Sequence, residues 1–247
     1  MRSTISKWIK DYTINAGLDT LVVGVSGGID SAVVSTLCAD TNMRTIVVTM
    51  PIRQKPGQDR LGLAHVGWLQ DRYKNVEHRR RDLTPIFDSF EELMSPHDNS
   101  QLGFANSRSR LRMVTLYQIA QSQGGLVVGT GNKVEDFGIG FYTKYGDGGV
   151  DISPIAGLMK TQVWNLGRDM GIMQEIIDAA PTDGLWDDGR EDQDQLGGLS
   201  YADLERAMLM DESGKDAHGS DAVLLETYRK IRTRNLHKML PIPVFNP

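Results

Sequence analysis

Leu21-Val22-Val23-Gly24-Val25-Ser26-Gly27-Gly28-Ile29-Asp30-Ser31 is the stretch that decides the fold. The apolar run from Leu21 to Val25 has the composition of a buried strand and stops at Ser26-Gly27-Gly28. Ala32, Val33, Val34 and Leu37 then begin a helical pattern, so the order is strand, glycine turn, helix N-terminus. That order suits phosphate: amide groups at the turn point at the anion, and the helix dipole favours its charge. Gly27 and Gly28 permit close backbone approach, and a positive φ where the turn needs one. Asp30 would repel a phosphate unless a cation lay between them, which points to Mg²⁺. The stretch lacks the lysine of a Walker A loop and the spacing of Gly-x-Gly-x-x-Gly. The plain alternative is a glycine-rich strand–helix turn with an ordinary cap.

Outward from this stretch, elements alternate. Ile5, Trp8, Ile9 and Tyr12 have helical spacing. Leu21–Val25 is the first strand and 30–39 a helix. Thr45–Met50 is a second buried strand, ended by Pro51. A helix is expected over 59–71 with Leu61, Ala64, His65, Trp68 and Leu69 inward, then a weak edge strand over 76–81. Thr84 caps a helix over 84–94 with Pro85 at its first helical position. Residues 95–104 read as a loop, 106–121 as a long helix, and 126–128 as a short buried strand. Short strands alternating with helices predict an α/β fold, a doubly wound, mainly parallel sheet with flanking helices. Ligands of such sheets lie beyond the carboxyl ends of the strands, where Ser26 and Thr130 both fall.

Composition bounds the function. The 247 residues suit one large α/β domain, and the net charge of −5 disfavours nonspecific nucleic-acid binding. The one cysteine, Cys38, excludes an intrachain disulfide, fits a reducing compartment, and is placed as a buried thiol in the first helix after the turn. No signal peptide is visible, and no apolar run approaches the ~20 residues of a membrane span.

The Ser-Gly-Gly-x-Asp-Ser pattern resembles the pyrophosphate loop of the ATP-pyrophosphatase group. The second half narrows this. Gly129-Thr130-Gly131-Asn132-Lys133-Val134-Glu135-Asp136 follows the last strand. Gly140-Phe141-Tyr142-Thr143-Lys144-Tyr145-Gly146-Asp147-Gly148-Gly149-Val150-Asp151 comes next, then Leu158-Met159-Lys160, Pro181-Thr182-Asp183-Gly184-Leu185-Trp186 and His237-Lys238. Upstream, Asn106-Ser107-Arg108-Ser109-Arg110-Leu111-Arg112-Met113 looks like a substrate helix. In order and spacing these motifs resemble the ammonia-dependent NAD synthetases over nearly the whole chain.

The resemblance implies a cytoplasmic homodimer of single synthetase domains, 1–247, without a glutaminase domain. Its reaction is amidation of deamido-NAD with ammonia, ATP as co-substrate, through an adenylylated carboxylate. By the same resemblance Gly24, Val25, Ser26, Gly27, Gly28, Ile29, Asp30 and Ser31 hold ATP phosphates. Thr130 contacts ATP, and Lys160 and Thr182 meet the triphosphate and the departing pyrophosphate. Asp30 and Glu135 carry Mg²⁺. Deamido-NAD meets Arg110, Lys144, Asp151, His237 and Lys238, and Asp147 accepts a proton from the nitrogen donor. Each has a plainer reading: a first-turn carboxylate for Glu135, a solvated lysine for Lys160, helix or loop caps for Thr130 and Thr182, a surface stripe for the arginines. Arg53-Gln54-Lys55-Pro56-Gly57 departs from the family's usual Tyr-Gly, so adenosine contacts there stay unassigned.

Other features read blandly. Arg79-Arg80-Arg81 is a solvated strand edge, and His65 is a packed or surface histidine. The acidic stretch 183–197 reads as a loop that closes over ATP. A tRNA-thiolating adenylase would need more cysteines and a basic surface. A non-catalytic nucleotide binder would not need Asp30, Glu135, Lys160 and Thr182 together.

Overall fold

The computed structural model describes residues 1–54, 59–181, 185–186, 196, 198–214 and 217–246. Four strands form the sheet: β1 (Thr20–Gly24), β2 (Arg44–Thr49), β3 (Val76–Arg80) and β4 (Gly125–Val127). All neighbouring pairs are parallel, in the order β3-β2-β1-β4. Val23 lies opposite Val47, and Val22 opposite both Ile46 and Val127. Alternate side chains leave opposite faces of the sheet, so each strand feeds two cores.

Leu21, Val23, Val47 and Leu126 pack on one face against α1 (Arg2–Asn15), α2 (Ile29–Asp40), α3 (Arg60–Arg72), α6 (Lys160–Asp169) and α7 (Gln174–Ile177). Val22, Ile46, Val48 and Val127 pack on the other against α4 (Thr84–Asp98) and α5 (Gln101–Ser122). Each fully buried Val or Leu contributes about 1.5–3 kcal/mol, so the two-sided strands anchor the fold. A third cluster joins α8 (Tyr201–Ser213) and α9 (Ser220–Met239) to Val134 and Ile139 of a π-helical turn, Lys133–Ile139. Among the described residues no helix is long and apolar enough to cross a membrane.

The parallel, helix-flanked sheet expected from sequence is the observed one, with β3 at its edge. Two local expectations need correction. Thr84 does not cap α4: Asp82 Oδ1 accepts the Thr84 amide at 3.0 Å, while Thr84 Oγ1 accepts the Arg53 amide at 3.0 Å. Residues 95–104 are not a loop, because α4 continues to Asp98 and α5 starts at Gln101. Pro96 removes one amide donor near the end of α4, where little helix follows to be lost. Ser100 then caps α5, its hydroxyl accepting the Gly103 amide at 3.1 Å. The proposed closing loop over 183–197 lies almost wholly outside the described residues, as does Thr182.

Candidate active site

Strand order places the site. The chain steps from β1 to β2 to β3 on one side, then returns to put β4 on the other side of β1. Connections leaving β1 and β4 therefore diverge, and a crevice opens at their carboxyl ends. The 24–31 turn leaves β1, and 129–132 leaves β4.

The first turn is held from within. Ser31 is buried, and its Oγ donates to the Gly28 carbonyl at 3.0 Å, accepts the Ser26 amide at 3.2 Å and meets Ser26 Oγ at 3.1 Å. Gly27 has φ +95°, and a Cβ there would sit 2.7 Å from the Gly62 amide nitrogen of α3, so no side chain fits. Gly28 needs no positive φ, at −82°.

The second turn is held by Asn132, which is fully buried. Its Oδ1 accepts the Val134 and Glu135 amides, both at 3.1 Å, and starts the π-helical turn. Its Nδ2 donates to Asp30 Oδ1 at 3.2 Å, tying this turn to the first. Asp30 and Glu135 thus face each other across the crevice, with Lys160 between them. Lys160 Nζ lies 2.5 Å from Asp30 Oδ2 and 2.8 Å from Glu135 Oε1, and the residue is 2 % exposed. Tyr201 donates its hydroxyl to Glu135 Oε1 at 2.6 Å.

Burial alone would lower the Lys160 pKa, but Asp30 and Glu135 reverse this and hold the ammonium protonated. Burial pushes Asp30 up despite Lys160. At Glu135 burial is outweighed by Lys160 together with the hydrogen bonds from Tyr201 and Asn132, so its pKa falls. One cation against two buried carboxylates leaves a site that can take further positive charge. Two carboxylates converging on one cation, with oxygen donors alone, suit Mg²⁺ completed by phosphate oxygens.

A second group gathers where the 141–149 loop meets the end of α9. Lys144 Nζ donates to the His237 carbonyl at 3.0 Å, and Lys238 Nζ to the Tyr142 carbonyl at 2.8 Å. Tyr142 donates its hydroxyl back to the Lys238 carbonyl at 2.5 Å. Arg110 Nε reaches the Lys144 carbonyl at 3.4 Å from an exposed position on α5. Burial, with Arg234 nearby, lowers the Lys238 pKa. Three basic side chains, Arg110, Lys144 and Lys238, come from three segments and make a surface for an extended anion; His237 joins them through its backbone carbonyl.

Comparison with known proteins sorts these features. Residues 1–240 match the NAD synthase family. The NH(3)-dependent NAD(+) synthetase of Methanosarcina acetivorans is 36% identical, over 98% of this chain and 96% of its own. The chain belongs to the NAD synthase family. The enzyme of the same name from Carboxydothermus hydrogenoformans is 34% identical, over 94% of this chain and 90% of its own. The solved NMN synthetase of Francisella tularensis superposes with a TM-score of 0.87 at 31% identity, covering 99% of this chain and 97% of that one. The sheet and its flanking helices are thus those of the NAD synthase fold.

Of the residues singled out in the sequence of this NAD synthase family member, Asp30, Glu135 and Lys160 come together at the crevice, whereas Arg110, Lys144, His237 and Lys238 gather at the 141–149 loop and the end of α9. Lys160 is no solvated lysine. Thr130 is no helix cap, since Asn132 takes that place. Asp151 is engaged by the fold: Oδ1 accepts the Tyr117 hydroxyl at 3.0 Å and Oδ2 the Val127 amide at 2.8 Å. Asp147 Oδ1 accepts the Ser109 hydroxyl at 2.6 Å and the Thr143 amide at 3.0 Å, which fixes it on the rim. Arg108 is not part of a surface stripe. It is 4 % exposed, its guanidinium 4.6 Å from the Phe87 ring centroid, and Nη1 donates to the Leu185 carbonyl at 2.9 Å.

Two residues that matter here drew no role from sequence. Asn132 precedes Glu135 at the spacing of an N-cap, a legible signal for the turn though not for the bond to Asp30. Tyr201, 66 positions from Glu135, carries no signal at all.

Proposed function

We propose that this chain is an ATP-dependent ligase that amidates deamido-NAD with ammonia, giving NAD, AMP and pyrophosphate. The observation that carries this is Lys160 buried between Asp30 and Glu135 at the carboxyl ends of β1 and β4. This is a charge site built for polyphosphate rather than a packing feature. Family membership and the names of the relatives support the choice of acid and nitrogen donor.

The reaction needs a carboxylate oxygen turned into a leaving group. The nicotinate carboxylate attacks the α-phosphorus of ATP, the bond to pyrophosphate breaks, and an acyl adenylate forms. Ammonia then attacks the acyl carbon, the bond to AMP oxygen breaks, and the extra proton goes to Asp147 or water. Ser26 to Ser31 cradle the phosphates with amide groups. Lys160 meets the charge that develops on pyrophosphate as it departs. Arg110, Lys144, His237 and Lys238 hold the dinucleotide phosphates. Asp30 and Glu135 would hold Mg²⁺, which would supply Lewis-acid neutralisation of the polyphosphate. Thr182 shares the pyrophosphate role in this reading. The active unit is a homodimer of single synthetase domains in the cytoplasm, taking ammonia directly.

A second reading is amidation of the mononucleotide, favoured by the fit to the Francisella tularensis protein. The test is end-point product analysis with ATP, Mg²⁺ and ammonium, once with deamido-NAD and once with nicotinic acid mononucleotide. NAD, AMP and pyrophosphate in equal amounts from the first arm support the proposal. Turnover confined to the second arm moves the assignment to the mononucleotide, and no AMP in either arm refutes both. Asp30→Asn and Glu135→Gln should each abolish most turnover while the far-ultraviolet circular dichroism is kept.

A further inference from the structure

Two residue pairs with i, i+4 spacing meet beside the charge cluster: Lys160 and Trp164 on α6, and Tyr201 and Glu205 on α8. Glu205 caps α6, its Oε1 accepting the Thr161 amide at 2.8 Å and its Oε2 the Thr161 hydroxyl at 2.7 Å. A carboxylate there also meets the positive end of the helix. This grip fixes the first turn of α6, from which Lys160 extends.

Tyr201 reaches into the cluster itself. Its ring forms a T-shaped pair with that of Trp164, the centroids 5.7 Å apart and the planes at 88°. Lys160 Nζ lies 4.8 Å from the Tyr201 ring centroid and 5.9 Å from that of Trp164, both within cation–π range. The Tyr201 hydroxyl and Lys160 Nζ both fall on Glu135 Oε1, at 2.6 and 2.8 Å, so neither takes Oε2. One side chain thus touches both charges: the ring bears on the ammonium and the hydroxyl on the carboxylate. A phenylalanine would supply the same packing. What the hydroxyl adds is a charge-assisted hydrogen bond that sets which way the carboxylate turns its other oxygen, as partners behind metal-binding carboxylates do.

We propose that Tyr201 is a positioning residue for adenylylation: its hydroxyl turns Glu135 so that Oε2 is offered to the polyphosphate-bound cation, and its ring, with that of Trp164, holds the Lys160 ammonium for the departing pyrophosphate. The inference rests on the amidation reading and adds to it the group that orients both charges. Tyr201 acts through Glu135 and Lys160 and bonds to no reacting atom.

The experiment compares Tyr201→Phe, Tyr201→Leu, Trp164→Leu and Glu205→Ala with the wild type. Mn²⁺ is titrated in the presence of α,β-methylene ATP and followed by electron paramagnetic resonance, with steady-state kinetics and thermal unfolding alongside. Tyr201→Phe keeps the ring and should weaken Mn²⁺ binding about tenfold, the usual effect of removing such a partner, while Tm and the KM values for ammonium and the pyridine nucleotide hold. Trp164→Leu should lower kcat at saturating Mg²⁺ about fivefold and leave Mn²⁺ affinity unchanged. Tyr201→Leu should show both losses. Glu205→Ala should lower Tm without changing Mn²⁺ affinity, the behaviour of a contact that only holds the helices together. Unchanged Mn²⁺ affinity in Tyr201→Phe, or a wild type that binds no Mn²⁺ with the analogue, would overturn the proposal. A wild type that binds Mn²⁺ with the analogue yet makes no amide refutes the amidation reading, and the Mn²⁺ comparison then decides the role of Tyr201 by itself.

Discussion

Replacing Lys160 by Met tests the centre of the site most directly. The substitution keeps the length of the side chain and removes its charge. It leaves Asp30 and Glu135 buried, with the cation that stood 2.5 Å from one and 2.8 Å from the other gone. Removing one member of a buried ion pair destabilises by about 3–5 kcal/mol, which for a chain of this size lowers Tm by about 6–20 °C. The loss should depend on pH in a set direction. Without Lys160 the two carboxylates hold protons that the unfolded chain has released above about pH 4, so the variant loses stability as pH rises, by up to about 1.4 kcal/mol per pH unit per proton. Urea unfolding at pH 5 and pH 8 should therefore show a larger deficit for Lys160→Met at pH 8. Millimolar Mg²⁺ without ATP should recover stability in the variant more than in the wild type, since the freed carboxylate pair then accepts the metal. Turnover should fall about 10²–10³-fold, the usual effect of losing one charge-stabilising group. Equal stability and equal pH dependence in the two proteins would refute the assignment of Lys160 as the neutralising cation.

Further expectations follow from other buried groups. Burial holds His65 down to about pH 4 from the usual value near 6.5, with its Nε2 2.9 Å from Ser35 Oγ. Between those limits the unfolded chain binds a proton that the folded one does not, so stability falls as pH falls, by roughly 3 kcal/mol in all; His65→Gln should flatten that part of the urea-unfolding profile, and parallel profiles would count against the buried neutral imidazole. Cys38 is fully buried and burial raises its thiol pKa, so Cys38→Ala should cost about 1 kcal/mol and leave ammonium-dependent synthesis intact. Glutamine-dependent synthesis lost in that variant would contradict direct ammonia use. On α5, Leu102 and Val114 are 56 % and 57 % exposed, apolar surface that a second copy could cover. Sedimentation at micromolar concentration should give a dimer, and a fully active monomer would refute it.

The amino-acid sequence by itself determined what is local or periodic. Leu21 to Val25 and the Ile46-Val47-Val48 centre of Thr45 to Met50 are apolar without alternation, the pattern of strands buried on both faces, and their alternation with helical segments points to a parallel sheet. Ser26-Gly27-Gly28 is readable because Gly27 adopts a φ that other residues resist and lies against Gly62. The motif order from Gly129 to Asp151 sufficed to mark the family. Local signals fail where they compete with packing: 95–104 reads as a loop, yet α4 runs past Pro96 to Asp98, and Arg108 reads as surface charge, yet it stacks on Phe87. Only the tertiary structure decided how Asp30, Asn132, Glu135, Lys160 and Tyr201 meet. They belong to segments far apart in the chain, and their contact depends on β4 returning beside β1. Side-chain charge is written in the sequence, whereas its burial and its partner are properties of the packed chain. That is why Lys160 reads as solvated from its neighbours in sequence and is 2 % exposed between two carboxylates in the fold.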